Sequence, residues 1–177
     1  MATAIQTKLK FNENCLYRDL YLLNIGGLHV TIASGYMNPL HCGHIEYFRH
    51  ARELGHALIV IVNSDAQVKI KGSQPFMCEK ERLNIVQSIR YVDYAMISTD
   101  KDGTVCETLR EIRNLLPDCK LTFCKGGDRT IGNIPEADTC KELGIEMQFG
   151  IGGGKIQSSS WLLKRAKEAG NAKPDIR

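Results

Sequence analysis

The sequence predicts an α/β protein with a Rossmann-like, doubly wound parallel sheet of about five strands. From residue 28 onward, short β-branched segments alternate with amphipathic helical patterns. The first two strand segments, 28–34 and 57–65, are apolar nearly throughout, as is typical of strands covered on both faces. Right-handed strand–helix–strand crossovers follow from this alternation, and they place ligand-binding loops at the carboxyl ends of the strands.

Each element is predicted from its local pattern. The strand pattern occurs in five segments: 28–34, 57–65, 94–99, 121–127 and 145–150. The amphipathic helical pattern also occurs in five: 44–54, 79–90, 104–116, 135–143 and 159–169, the last ending before Gly170. The loops that begin after the first, second and fourth strands, 35–44, 63–72 and 125–129, are therefore expected to lie at one edge of the sheet.

Length and composition predict one globular domain, because 177 residues with 43% hydrophobic and 24% charged side chains fit that class. We assign residues 28–170 to this domain, 171–177 to a polar tail and 1–27 to an N-terminal extension of unknown role. An amphipathic pattern in the extension is suited to cover a sheet edge or a partner subunit, and we expect a homodimer or higher homo-oligomer.

The same bulk properties indicate where the chain acts. A net charge of +3 indicates neither a nucleic-acid nor a membrane partner, and no apolar stretch approaches the ~18 residues of a membrane span. Seven cysteines without a CxxC pair are typical of reduced thiols, so we expect a cytoplasmic protein.

His41, Gly43 and His44 stand where the first strand gives way to a helix. A helix N-terminus attracts anions, and a glycine there lets a phosphate approach the backbone. Two histidines three residues apart reach one face, where they can donate hydrogen bonds, with partial positive charge, to phosphate oxygens. Surface histidines in an ordinary loop are the alternative interpretation, and Cys42 between them is expected to be a spacer.

A second anion-ready helix start is predicted near the C-terminus. The segment 150–156 is too short for a P-loop and has Ile156 where Ser or Thr would bind magnesium. The three serines Ser158, Ser159 and Ser160 instead precede the last helix, and their hydroxyl groups are suited to face an anion. Simple helix capping by one serine is the alternative.

Several stretches together resemble a known superfamily. "GYMNPLHCGH" followed by "SSS" resembles the HxGH nucleotidyltransferases, which have the cytidylyltransferase-like fold, and the order of motifs agrees over residues 28–165. "ALIVIVNSDAQVKIKG", "ERLNIVQSIRYVD" and "CKGGDRTIGNIPEAD" resemble the nucleotidyltransferase domain of ADP-heptose synthase and, more loosely, glycerol-3-phosphate cytidylyltransferase.

The resemblance implies roles for individual residues. Catalysis is assigned to three residues that touch the phosphates: His41, His44 and Lys71. Nucleotide binding is assigned to a larger set: Gly35, Tyr36, Asn38, His41, Gly43, His44, Lys125, Gly126, Gly127, Asp128, Ser158, Ser159 and Ser160. The acceptor phosphate is assigned to three cations: Lys69, Lys71 and Arg82. Asp65 matches the family's acid after the second strand, with loop capping as the alternative role.

Two residues depart from the family pattern and concern the substrate pockets. Asn38 stands where relatives carry aspartate, and Gln74 stands where they carry arginine. Tyr36 and Met37 are also unusual at their positions. These departures leave the acceptor open between a phosphosugar and a polyol phosphate, and the nucleotide open between ATP and CTP.

The implied activity is transfer of AMP or CMP to a small phosphorylated acceptor with release of pyrophosphate. A phosphate monoester is already anionic near pH 7, so it attacks without a dedicated base. Mg²⁺ is expected to arrive with the nucleoside triphosphate, with no metal ligand assigned to the protein. A non-catalytic nucleotide-binding regulatory module of the same fold is the main alternative. An aminoacyl-tRNA synthetase fragment is the third, although no KMSKS-like string is present.

Overall fold

The computed structural model describes residues 27–127, 134–153 and 157–171, and the elements alternate as predicted. The strands are β1 (His29–Gly35), β2 (Ala57–Val62), β3 (Tyr94–Ile97), β4 (Lys120–Gly126) and β5 (Glu146–Ile151). The helices are α1 (Cys42–Glu53), α2 (Asp65–Ile70), α3 (Glu79–Gln87), α4 (Cys106–Leu115), α5 (Ala137–Glu142) and α6 (Ser159–Asn171). Most of the predicted N-terminal extension and tail, and the site residue Asp128, lie outside the described residues.

The five strands form one parallel sheet in the order β3-β2-β1-β4-β5. This confirms the predicted α/β class and the parallel sheet. The chain order reverses between β1 and β4, so the loops after these two central strands diverge and leave a crevice at the carboxyl edge. Ligands of open α/β sheets bind at such a point.

Helices cover both faces of the sheet, which makes the fold doubly wound. One buried cluster includes Leu109 and Ile112 of α4 and packs against Phe123 of β4. The cluster on the other side includes Phe48 of α1 and Val86 of α3. All six residues of β2 are buried, which explains why that segment is apolar at every position. No helix within the described part of the chain is long and apolar enough to cross a membrane.

The structure corrects the prediction of a loop over 63–72, because α2 occupies most of that segment. The Ser64 hydroxyl accepts the Gln67 N–H at 3.2 Å, and Gln67 Oε1 accepts the Ser64 N–H at 3.0 Å. This reciprocal capping box starts the helix. The Gln67 amide nitrogen then donates to the carbonyl oxygens of Asp102 and Thr104, so the helix is tied to the loop after β3.

Candidate active site

A cavity of about 460 Å³ opens at the carboxyl edge of the sheet, where the predicted loops meet. Many of the predicted site residues line it: Gly35, Tyr36, His41, Gly43, His44, Lys71, Lys125, Gly126 and Gly127. The other described candidates do not: Asn38, Lys69, Arg82, Ser158, Ser159 and Ser160. The fold therefore gathers the histidine motif, one lysine of α2 and the loop after β4 around one space.

His41 and His44 form a compact pair at the start of α1. His41 is the N-cap, with extended backbone (φ −152°, ψ 170°). Its backbone N–H donates to Nδ1 of His44 at 3.2 Å, while the His44 N–H donates to the His41 carbonyl at 2.9 Å. The two ring centroids lie 3.9 Å apart. The first turn of the helix therefore fixes the His44 ring, and the His41 ring lies against it.

This geometry determines the charge of His44. Burial first, and then the nearby His41 and Lys71, lower the pKa of His44 to about 3. Because Nδ1 accepts a backbone N–H, the single proton of the neutral ring lies on Nε2. His44 is thus a neutral hydrogen-bond donor near pH 7, which corrects the expectation of partial positive charge at this residue.

His41 has a different surrounding. Burial lowers the pKa of its imidazole, and its Nδ1 atom is buried with no hydrogen-bond partner within the described residues. Gly43 makes room for this ring, since a Cβ atom on Gly43 would lie 3.1 Å from both Cε1 and Nδ1 of His41. That separation is tighter than an ordinary van der Waals contact. The glycine is needed for close packing beside the histidine.

The start of α6 lies beside the start of α1. The Ser159 hydroxyl donates to the Pro39 carbonyl at 2.8 Å, and a Cβ atom on Gly43 would lie 3.7 Å from the Gln157 carbonyl oxygen. The Ser158 hydroxyl accepts the Trp161 N–H at 3.3 Å, which is a helix cap. The structure thus favours capping for Ser158, and Gln157 is the residue of this segment that lines the cavity.

Lys71 supplies positive charge on the β2 side of the cavity. It is the C-cap of α2, and its Nζ lies 4.2 Å from the centroid of the Tyr36 ring. A cation over an aromatic face is attracted by the ring quadrupole. Lys69, two residues earlier, is exposed like Lys71 but does not line the cavity. The structure therefore separates the two lysines that the sequence left together.

Lys125 and Glu136 form an ion pair on the β4 side. Their Nζ and Oε2 atoms lie 3.3 Å apart, and the side chains are only 15% and 6% exposed. The Lys125 ammonium also lies 3.4 Å from the Ser34 hydroxyl of β1 and 4.3 Å from the Phe123 ring centroid. Sequence reasoning missed Glu136, because an acidic residue before a short helix gives no sign of burial.

Asn38 and Arg82 are buried in hydrogen bonds within the protein and do not line the cavity. Buried Asn38 donates to the Gln74 carbonyl at 2.7 Å and accepts the Phe76 N–H at 2.5 Å. The Arg82 guanidinium is buried and donates to backbone carbonyls and to Asp65, at distances of 2.6–3.1 Å. Asn38 therefore holds the 74–76 loop, and Arg82 holds the ends of β1 and β2 together rather than reaching a ligand.

Tyr47 is another cavity residue that sequence reasoning missed. Its hydroxyl donates to the Cys124 carbonyl at 2.6 Å, and burial raises its pKa. Cβ atoms on Gly126 and Gly152 would lie 3.2 Å and 3.0 Å from Tyr47 atoms. Gly126 therefore leaves space for the Tyr47 ring at the end of β4, and Gly152 leaves space for the Tyr47 backbone after β5.

The described residues offer no protein site for a metal ion. They contain no cluster of three His, Cys, Asp or Glu side chains with suitable spacing. The carboxylate among the described lining residues is Glu136, and Lys125 already engages it.

Comparisons with known proteins agree with this geometry. The family model described as cytidylyltransferase-like matches residues 32–147, so the chain belongs to the cytidylyltransferase-like family. Among curated proteins, it is 33% identical over 148 residues to the bifunctional protein HldE of Campylobacter concisus and 35% identical over 144 residues to HldE of Streptomyces coelicolor. These matches cover 82% and 78% of this chain but only 29% and 28% of those relatives.

Two solved structures share the fold. A lipopolysaccharide core biosynthesis protein from Thermoplasma volcanium is 25% identical, with a TM-score of 0.56 over 70% of this chain and 94% of that one. A nicotinate-nucleotide adenylyltransferase from Vibrio parahaemolyticus, so described provisionally, is 14% identical, with a TM-score of 0.56 over 80% of this chain and 88% of that one. The family match and the HldE relatives support a nucleotidyltransferase activity.

Proposed function

We propose that this protein transfers AMP or CMP from a nucleoside triphosphate to a small phosphorylated acceptor and releases pyrophosphate. The main supporting observation is that the His41–His44 pair and the start of α1 converge on one cavity, with Gln157, just before α6, also on its wall. The first N–H groups of a helix lack intrahelical partners, and the helix dipole is positive there. A triphosphate is the ligand that this convergence suits best.

In the proposed reaction, a phosphate oxygen of the acceptor attacks the α-phosphorus of the nucleotide. A new P–O bond forms there, the bond from the α-phosphorus to the bridging oxygen breaks, and pyrophosphate leaves with that electron pair. An acceptor phosphate is already anionic near pH 7, so the step requires no general base. The protein is left with two tasks: positioning the reactants in line and stabilising charge.

The cavity residues divide these tasks. The Nε2–H of His44 donates to a triphosphate oxygen on which negative charge grows, and being neutral it does not bind the ground state as a cation would. The imidazole of His41, which also lines the cavity, is the second proposed donor to the phosphate oxygens. Lys71, whose ammonium is held near the Tyr36 ring, attracts the acceptor phosphate. Mg²⁺ enters as part of the nucleotide substrate, where it neutralises phosphate charge.

A phosphosugar or a polyol phosphate is the acceptor class we propose. Support comes from the Lys71 site and from the Thermoplasma structure, whose description concerns synthesis of a saccharide, the lipopolysaccharide core. If the cavity binds a nucleotide but catalyses no reaction, the protein is the alternative, a regulatory nucleotide-binding module.

A pyrophosphate-release screen tests the proposal. The purified chain is incubated with Mg²⁺ and ATP, CTP, GTP or UTP, each with and without sugar 1-phosphates or glycerol 3-phosphate. We expect release that requires both one nucleotide and one acceptor. Nucleotide binding without release, across a broad panel of phosphate esters, would favour the regulatory module instead.

A further inference from the structure

The cavity has two ends that differ in charge, one on each side of the histidine pair. The end toward β2 contains Lys71 and the Tyr36 ring. At the end toward β4 and β5, the Lys125 ammonium faces the Glu136 carboxylate at 3.3 Å, so the two charges balance. An anionic acceptor is therefore drawn to the Lys71 end, and the balanced end suits the uncharged part of a nucleotide.

The surroundings of the balanced end also suit a nucleoside. Backbone of Gly126, Gly127 and Gly152 lines it without side chains, and Ile134 and Ile151 add apolar surface. A flat base or a sugar ring can approach such walls closely. The Tyr47 hydroxyl is used internally by the Cys124 carbonyl, so it does not define what a ligand must offer here.

Glu136 is placed as a hydrogen-bond acceptor for that ligand. It occupies the N-cap position of α5, yet its side chain makes no capping hydrogen bond. The carboxylate points to the cavity and to Lys125 instead. An ionised carboxylate has about four lone-pair sites, so the ion pair leaves room for another donor. Burying an ion pair costs free energy unless further hydrogen bonds satisfy its groups. Because this pair lies at a cavity wall, a ligand can supply those hydrogen bonds.

We propose that Glu136 selects the nucleotide by accepting a hydrogen bond from a donor group of its nucleoside. The proposal rests on the proposed function, since it assumes that the cavity binds a nucleoside triphosphate. Two nucleoside donors have this chemistry: the exocyclic amino group of adenine or cytosine, and a ribose hydroxyl. A base with a carbonyl group at the amino position would present a second acceptor to the carboxylate, which is unfavourable.

Equilibrium binding and turnover of matched nucleotide pairs test this selection. ITP and UTP carry a carbonyl group where ATP and CTP, respectively, carry the amino group. 2′-Deoxy-ATP lacks one ribose hydroxyl group of ATP. Each pair is measured with the parent chain, Glu136→Gln and Lys125→Gln. The second variant breaks the same ion pair but keeps the carboxylate, so it is the matched control.

We expect Glu136→Gln to narrow the parent's preference in one of these pairs by about tenfold. Lys125→Gln should weaken both members of each pair by similar factors. The selection role would be overturned if Glu136→Gln keeps the parent's nucleotide preferences. It would also be overturned if both variants reduce a preference by the same factor. If Glu136→Gln does not fold, Glu136→Asp replaces it, because aspartate keeps the negative charge on a shorter side chain. Glu136→Asp must then reduce the parent's preference in one of the nucleotide pairs. Nucleotide binding without turnover in the parent would count against the proposed function, leaving the binding ratios to decide on Glu136.

Discussion

The backbone N–H of His41 donates to Nδ1 of His44 at 3.2 Å, and this contact fixes which nitrogen of His44 carries the proton. The ring centroids of His44 and His41 lie 3.9 Å apart. Burial lowers the pKa of His44 to about 3. A cationic His44 would lose the contact, because both ring nitrogens of an imidazolium are donors. The start of α1 therefore keeps His44 neutral, with Nε2–H available to a ligand.

This relationship predicts how stability depends on pH. The pKa of His44 is lowered from 6.5 to about 3 on folding, so between these values the unfolded chain binds the extra proton. Stability is therefore lost as the pH falls from 6.5 toward 3. We expect His44→Gln to remove part of this loss, up to about 1.4 kcal/mol per pH unit. Urea unfolding from pH 7 to pH 5 measures it, and the same slope in both proteins would show that His44 titrates normally.

Replacement of Gly43 separates catalysis from stability. A Cβ atom there would lie 3.1 Å from two atoms of the His41 ring, so Gly43→Ala should displace the imidazole and lower turnover by about tenfold or more. Alanine is a better helix former than glycine by about 0.5–1 kcal/mol. We therefore expect little decrease in the melting temperature of Gly43→Ala, in contrast to its turnover. Exposed Cys42 is the control in the same turn, and Cys42→Ala should retain turnover. Full activity in Gly43→Ala would show that the ring position is not critical.

Tyr36 should act on the acceptor through Lys71. Because the Lys71 ammonium lies 4.2 Å from the Tyr36 ring centroid, Tyr36→Leu should raise the acceptor KM by roughly two- to fivefold, with little effect on the nucleotide KM. Tyr36→Phe retains a ring and should resemble the parent. Lys71→Ala should produce a larger rise of the same kind that weakens at high salt.

Lys69→Ala is the matched control for this experiment, because Lys69 is exposed and does not line the cavity. Its acceptor kinetics should equal those of the parent. Equal effects of Lys69→Ala and Lys71→Ala would mean that general surface charge attracts the acceptor.

Arg82 should matter for stability. Its buried guanidinium binds the carbonyls of Tyr36 and Asn63 and the Asp65 carboxylate. Arg82→Met leaves these acceptors without their donor, so we expect a loss of about 3 kcal/mol or more in the free energy of unfolding. Arg90→Met, at an exposed arginine, is the control. A folded, equally stable Arg82→Met with a raised acceptor KM would restore the acceptor-binding role that its sequence position suggests.

The fold was largely predictable, and the site only in part. Short β-branched apolar runs located the five strands, and β2, the most continuous of these runs, is buried at all six positions. The capping box of Ser64 and Gln67 was also readable in the sequence, but the Lys, Gly and Pro residues that follow suggested a loop. Glu136 was not predictable, because its burial depends on Lys125 of a different strand. Likewise, the resemblance placed Asn38 at the ligand, whereas its amide group pairs with backbone that lies distant in sequence.

We propose that His44 stabilises the transition state as a neutral donor, and steady-state kinetics of His44→Ala measure this role. The acceptor and nucleotide are those found by the pyrophosphate screen, and nucleotide affinity is measured separately by equilibrium binding. We predict that kcat falls about 10²–10³-fold while nucleotide affinity changes much less, as for loss of one donor to developing charge. Between pH 5 and 8, the parent kcat/KM for the nucleotide should show no decline from protonation of His44 in the free enzyme, where its pKa is about 3. Parental turnover in His44→Ala, or equal losses of turnover and affinity, would contradict this role.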